Sequence, residues 1–141
     1  MPVRSADTAH ILIVSDNNSE TNELRMLFQK VGLTSEIATS ITAACESAIS
    51  GRFQVIFSTP VMADGSWRRL IDIANHYGLS FEVILLARSF DFNQWGEALQ
   101  VGAFDVLDVL CDLPKAAEAA RRAFGADYLK RFRALSRGSI G

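Results

Sequence analysis

His10-Ile11-Leu12-Ile13-Val14, followed at once by Ser15-Asp16-Asn17-Asn18, decides the fold. Four consecutive aliphatic residues stop abruptly at a polar, acidic turn. A continuous apolar run this short suits a strand buried on both faces, not one half exposed to water. Beyond the turn the period changes. Leu24, Leu27, Phe28 and Val31 fall at i, i+3, i+4 and i+7, which is one face of a helix. Asn18 or Ser19 is expected to cap its start, and Gly32 fits its end.

The same alternation repeats along the chain. Ser35 to Ala38, with Ile37 central, reads as a short strand. Thr39 or Ser40 then caps a helix with Ile41, Ala44, Cys45 and Ala48 on one side, closed by Gly51. Val55-Ile56-Phe57 is a third apolar run, and residues 58–65 read as loop. Ser66 can cap a third helix carrying Leu70, Ile73, Ala74 and Tyr77, with Gly78 after it. Val83-Ile84-Leu85-Leu86 is the fourth run. A fourth helix near Asn93 to Val101 groups Trp95, Ala98 and Leu99, with Trp95 expected in the core. Val106 and Leu107 centre a fifth strand, and Asp112-Leu113-Pro114 opens an Ala-rich helix through Phe124.

Five strand–helix units with short connections imply an α/β fold: a doubly wound parallel sheet with helices on both faces. In such sheets chemistry sits beyond the C-terminal strand ends. The segments to read are therefore 15–18, 58–65, 87–91 and 108–113.

Composition narrows the function classes. The 141 residues are the length of one domain, and 49% hydrophobic residues supply a real core. A net charge of −2 argues against a nucleic-acid binder working through bulk charge. No apolar run approaches the roughly 18 residues of a membrane span. Residues 1–10 hold no apolar core of signal-peptide length, so a cytoplasmic location and no membrane partner are expected. Cys45 and Cys111 are expected to be reduced, largely buried thiols. Charge is uneven along the chain. From Lys115 onward seven basic residues face two acidic ones, a net of +5, so the preceding part carries −7.

The loops carry a resemblance. Ile11-Leu12-Ile13-Val14 with its acidic turn is similar to the opening of a response-regulator receiver domain. Val55-Ile56-Phe57 with a loop ending in Asp64-Gly65 resembles that family's phosphorylation segment. Val83-Ile84-Leu85-Leu86 and Gly102-Ala103-Phe104-Asp105-Val106-Leu107 resemble its fourth strand and the turn into its fifth. The resemblance covers about residues 9–124 and implies the flavodoxin-like (CheY-like) five-stranded order 2-1-3-4-5. It also implies a division into a tail (1–8), a receiver-like domain (9–124) and a basic helical extension with a flexible end (125–141).

The chemistry implied by the resemblance is acyl-phosphate formation on an Asp. That needs a divalent cation held by carboxylates, a Lys and a hydroxyl on the phosphoryl group, and an aromatic residue that reports the change. Position by position this sequence departs from it. The acidic pair becomes Ser15-Asp16, and the nucleophile position holds Ser58 in a loop one residue short. The hydroxyl position holds Ala87, followed by Arg88. The lysine position holds Val109, the next proline is Leu110, and the aromatic position holds Val106. Ser58 cannot form an acyl phosphate, and one remaining carboxylate, Asp16, is a weak metal candidate. The expectation is a degenerate pseudo-receiver of a two-component (phosphorelay) pathway: no enzyme, no cofactor, no resident metal.

Other readings stay in view. Asp16 or Asp64 could serve as an atypical acceptor, or Arg88 could contact a small anionic ligand in the vacated pocket. A Ser58 hydrolase would need a base, and only His10 and His76 exist. Asp105, Asp108 and Asp112 cluster near the fifth strand. Active receivers often pair through the face of the fourth helix, fifth strand and fifth helix. Here Phe90, Phe92, Glu97, Asp105, Arg121 and Arg122 are the candidates for that face, binding a protein partner or a second copy as a dimer. Around and beyond Gly125, the aromatics Phe124, Tyr128 and Phe132, with Leu135, are spaced to form one stripe of a continued helix that could dimerise or lead to an output module. Direct nucleic-acid binding is not expected, because no base-reading motif is present.

Overall fold

The computed structural model describes residues 10–88 and 92–140, with side chains through residue 133 except that of Phe92. Its elements run β1 (His10–Val14), α1 (Asn18–Lys30), β2 (Thr34–Ala38), α2 (Ile41–Ala48), β3 (Val55–Ser58), β4 (Val61–Met62), β5 (Gly65–Ser66), α3 (Arg68–Tyr77), β6 (Glu82–Ala87), α4 (Phe92–Val101) and β7 (Ala103–Asp108), followed by a 3₁₀ turn (Leu113–Lys115) and α5 (Ala116–Ile140). The five-stranded sheet has the order β2-β1-β3-β6-β7, and every pairing in it is parallel. This is the doubly wound, flavodoxin-like α/β architecture expected from the sequence. The segment 58–65, read as loop, contains a short antiparallel pairing of β4 with β5.

The strands are buried on both faces, and alternation of side chains divides the core in two. Leu12, Val14, Ile56, Val83 and Leu85 face one way, against Ile41, Ala44 and Cys45 of α2, Leu70 of α3 and Ala98 of α4. Ile11, Ile13, Val55, Phe57, Ile84 and Leu107 face the other, against Leu24 and Phe28 of α1 and Ala116, Ala119, Ala120 and Ala123 of α5. Four fully buried alanines let α5 lie close on the sheet.

Local chemistry corrects several expected helix ends. Asn17, not Asn18 or Ser19, caps α1, its side chain accepting from Glu20 N at 3.0 Å. Ser40 caps α2 as one of two expected candidates. Ser66 accepts from Arg68 N, but the N-cap of α3 is Trp67, whose side chain makes no cap bond. Gly78 closes α3 in the left-handed region (φ 65°), where a Cβ would be strained. Asp112 precedes a 3₁₀ turn instead of capping the helix, and its carboxylate accepts from Asp108 N.

Several burial expectations fail, among them Val31, which is exposed at the end of α1. Trp95 and Leu99 are 41% and 43% exposed, so of the grouped α4 residues only Ala98 is core. Tyr77 is 55% exposed. Cys111 is exposed, whereas Cys45 is buried and burial pushes its thiol pKa up. The C-terminal helix runs past Gly125, and α5 continues to Ile140. No helix among the described residues is long and apolar enough to cross a membrane.

Candidate functional site

The C-terminal ends of β1, β3 and β6 border a cleft of about 300 Å³ lined by Ser15, Asp16, Asn17, Glu20, Thr59, Pro60, Leu86, Ala87, Arg88 and Gln94. It lies where a doubly wound sheet places its chemistry. Ser15, Asp16, Ala87 and Arg88 are brought together there. Ser58 and Val109 are not among its lining. Ser58 is fully buried at the end of β3, opposite Val14 and Leu85, and its hydroxyl donates to the Thr59 carbonyl at 2.8 Å. Val109 turns into the core beside α5. Val106 is buried in the opposite layer.

Sequence reasoning missed Glu20. Its side chain is 8% exposed. It accepts from Ser15 Oγ at 3.3 Å and forms an ion pair with Arg88 Nη2 at 3.2 Å. Ser15 Oγ also accepts from Asn17 N at 3.1 Å. The signal was available: Asn17-x-x-Glu20 is the spacing of a capping box, which fixes Glu20 in the first turn of α1 next to the β1 turn. Arg88, expected as an anion contact, ties the end of β6 to α1. Asp16 is the exposed carboxylate of the cleft.

This donor set does not suit a resident divalent cation. Hard cations want several oxygen ligands, usually more than one carboxylate. Of two carboxylates bordering the cleft, Glu20 already has a guanidinium on it, and that positive charge opposes a second cation nearby. No group of three metal-ligating side chains occurs among the described residues.

Asp64 does not line the cleft. Its Oδ1 accepts from Ile41 N at 2.9 Å and its Oδ2 from Thr42 N at 2.8 Å, so it caps α2 from a distant loop. Ser40 takes Ala43 N at 3.0 Å, which completes the first turn. The Thr42 and Ile41 amides hold the Asp64 carboxyl down to about 2. Because the folded pKa is depressed, the stabilisation is present above the ordinary carboxylate range and is lost as pH falls through about 2. Urea titrations of the parent and Asp64→Ala should therefore differ at neutral pH and converge toward pH 2. A gap independent of pH would contradict a charge-assisted cap.

The remaining candidates resolve individually. His10 lies at the opposite end of β1 from the Val14–Ser58 pairing, and its ring meets Phe53 edge-on, so it does not serve Ser58. His76 packs against Tyr77. Asp108 accepts from Leu110 N, and Asp105 accepts from Val106 N and pairs with Arg122 at 3.6 Å. Asp105, Asp108 and Asp112 thus cap turns and steady β7. Glu97, Arg121 and Arg122 are exposed. Phe90 and the Phe92 side chain lie outside the described residues, as does the side chain of Leu135. A larger open groove of about 520 Å³ beside α1 and β2 carries one charged side chain, Arg25.

Comparison with solved structures agrees with this geometry. The chain is similar to the signal receiver domain of an HD domain-containing protein from Pseudomonas fluorescens Pf-5, with a TM-score of 0.78 at 21% identity over 94% of this chain and 97% of that one. It is also similar to a response regulator receiver domain from Clostridium thermocellum, with a TM-score of 0.74 at 21% identity over 86% and 98%. A third similar structure is the Saccharomyces cerevisiae Ssk1 receiver domain, solved with the histidine phosphotransfer protein Ypd1, with a TM-score of 0.64 at 19% identity over 72% and 78%. No family model and no curated protein sequence matches the chain. The fold is that of receiver domains.

Proposed function

We propose that this chain is a receiver-type signalling module of a two-component pathway that works in the cytoplasm without a phosphorylation switch and without catalysis. It acts by protein–protein contact through the face of α4, β7 and α5. One observation carries the reading. At the end of β3, where a phosphoryl acceptor must offer an exposed carboxylate, the chain offers the fully buried hydroxyl of Ser58. The neighbouring positions agree, since Ala87 and Val109 supply neither hydroxyl nor cation. The exposed Trp95 and Leu99 on α4, flanked by Glu97 and the Asp105–Arg122 pair, give the face apolar anchors within a charged surround. Docking of another protein is recorded for the yeast receiver above, and this chain is proposed to do likewise with a protein partner or a second copy. A small-ligand sensor is the weaker reading, because Arg88 is already engaged by Glu20.

Acetyl phosphate with Mg²⁺ should leave the intact mass unchanged, and beryllofluoride should produce no saturable NMR shifts at Asp16 or across β7. A stoichiometric phosphoryl adduct on Asp16 or Asp64 would replace this reading with that of an atypical switch.

A further inference from the structure

We propose that the outer face of α5 pairs with the same face of a second copy, antiparallel, the two helices crossing beside Gly125. This rests on the reading that the chain works through protein contact, and it names a partner and a register. The inner face of α5 is spent on the sheet through Ala116, Ala119, Ala120 and Ala123. Farther along, Asp127 is 1% exposed and accepts from Ser80 Oγ and Arg131 Nε, while Lys130 pairs with Glu82 at 2.7 Å. These bonds fix the rotation of the helix beyond Gly125. They leave Tyr128, Leu129 and Phe132 outward at 67%, 50% and 57% exposure, the Tyr128 and Phe132 rings stacked at 6.5 Å. Gly125 shares their side, since 125, 128, 129 and 132 fall at i, i+3, i+4 and i+7. A Cβ there would meet nothing within 4 Å, so another helix can approach closely.

Charge selects both the occupant and its direction. Glu118 and Arg133 are exposed, and neither forms an ion pair with another described residue. Fifteen residues of helix hold them about 22 Å apart in one chain, too far to meet. An antiparallel pair centred near Gly125 sets Glu118 of each copy against Arg133 of the other. It also lays the Arg121 stem against Leu129 of the other copy, while Arg122 keeps its pair with Asp105. A parallel pair would place Arg121 on Arg121 and Arg133 on Arg133. The contact is isologous and therefore closes as a dimer. Exposed ion pairs contribute little, so they set the register while the aromatics and Leu129 supply the buried area.

Sedimentation velocity of the full chain, from about 1 to about 500 µM, tests this. A concentration-dependent dimer is expected. Phe132→Glu should weaken it by about tenfold or more. Glu118→Arg and Arg133→Glu should each weaken it by about fivefold, and the double reversal should restore it. Far-UV circular dichroism of each variant confirms that the exposed substitutions leave the fold intact. A monomer at every concentration overturns the pairing. So does a dimer lost with Trp95→Glu but not with Phe132→Glu, or one whose reversals fail to compensate. A monomer that also takes no phosphoryl group leaves the module reading standing, whereas an acyl phosphate overturns that reading whatever the oligomeric state.

Discussion

Phe57→Ala should lower the stability of the fold by about 3–5 kcal/mol, the range for emptying an aromatic site in a packed core. Phe57 is fully buried on β3, the middle strand of the sheet. Its ring sits 5.1 Å from that of Phe28, tilted by 50°, and so ties α1 to the sheet. The layer around it cannot collapse into the void. Its neighbours on α5 are alanines, which have no side-chain reach to extend. A domain of this size commonly has a total stability of about 5–15 kcal/mol, so the variant forfeits a large part of it. Met26→Ala makes the comparison, because Met26 is 61% exposed and should change stability by no more than about 0.5 kcal/mol. Urea unfolding with matched m-values reads both. A Phe57→Ala cost below about 1 kcal/mol would mean that the layer between the sheet and α1 is not closely packed.

The same core explains what was legible in the sequence. Each central strand is buried on both faces, so its residues form an uninterrupted apolar run that nothing else in the chain imitates. Ile11 to Val14, Val55 to Phe57 and Val83 to Leu86 announce themselves for that reason. Helix existence was equally plain, but helix rotation was not. Trp95, Ala98 and Leu99 fit one face by spacing, yet a ten-residue helix needs only a narrow contact, and Ala98 with the half-buried Val101 provides it among the described side chains. In α5 the spacing of the aromatics marked one stripe of the helix but not which side it faces. The inner stripe is the alanines, since the helix packs too close to the sheet for anything bigger. Asp127 continues that stripe, buried through its bonds to Ser80 and Arg131. A buried aspartate is rare enough that composition argues against it, and its partner Ser80 lies 47 residues away.

The site divides along the same line. Positions defined by strand ends, such as Ser58, Ala87 and Val109, could be read by counting from the apolar runs. Glu20 could not be read that way. An acid in the first turn of a helix is ordinary on helix-dipole grounds alone. Its burial follows from Ser15 and Arg88, which approach from two other elements.

That three-element contact gives the second large effect. Arg88→Ala should cost about 1–2 kcal/mol, more than the median exposed ion pair, because the substitution leaves the nearly buried Glu20 carboxylate with Ser15 Oγ as its remaining side-chain partner. The figure stays below the cost of breaking a fully buried pair, since Arg88 is 56% exposed and water in the cleft can reach the carboxylate edge. Glu20→Gln should cost less than Arg88→Ala, as the amide keeps an oxygen for the Ser15 hydroxyl and leaves no buried charge. The double variant should cost less than the two single costs summed, with a coupling of about 0.5–2 kcal/mol in a double-mutant cycle. The effect should also be local. Hydrogen exchange should quicken at the first turn of α1 and the start of α4, while the amides of β3 keep their protection. Additive single costs would mean that Arg88 and Glu20 do not hold each other, and that the end of β6 is tied to α1 by backbone packing alone. Strong coupling would mean that the Arg88–Glu20 pair itself, at the rim of the cleft, ties the end of β6 to the first turn of α1.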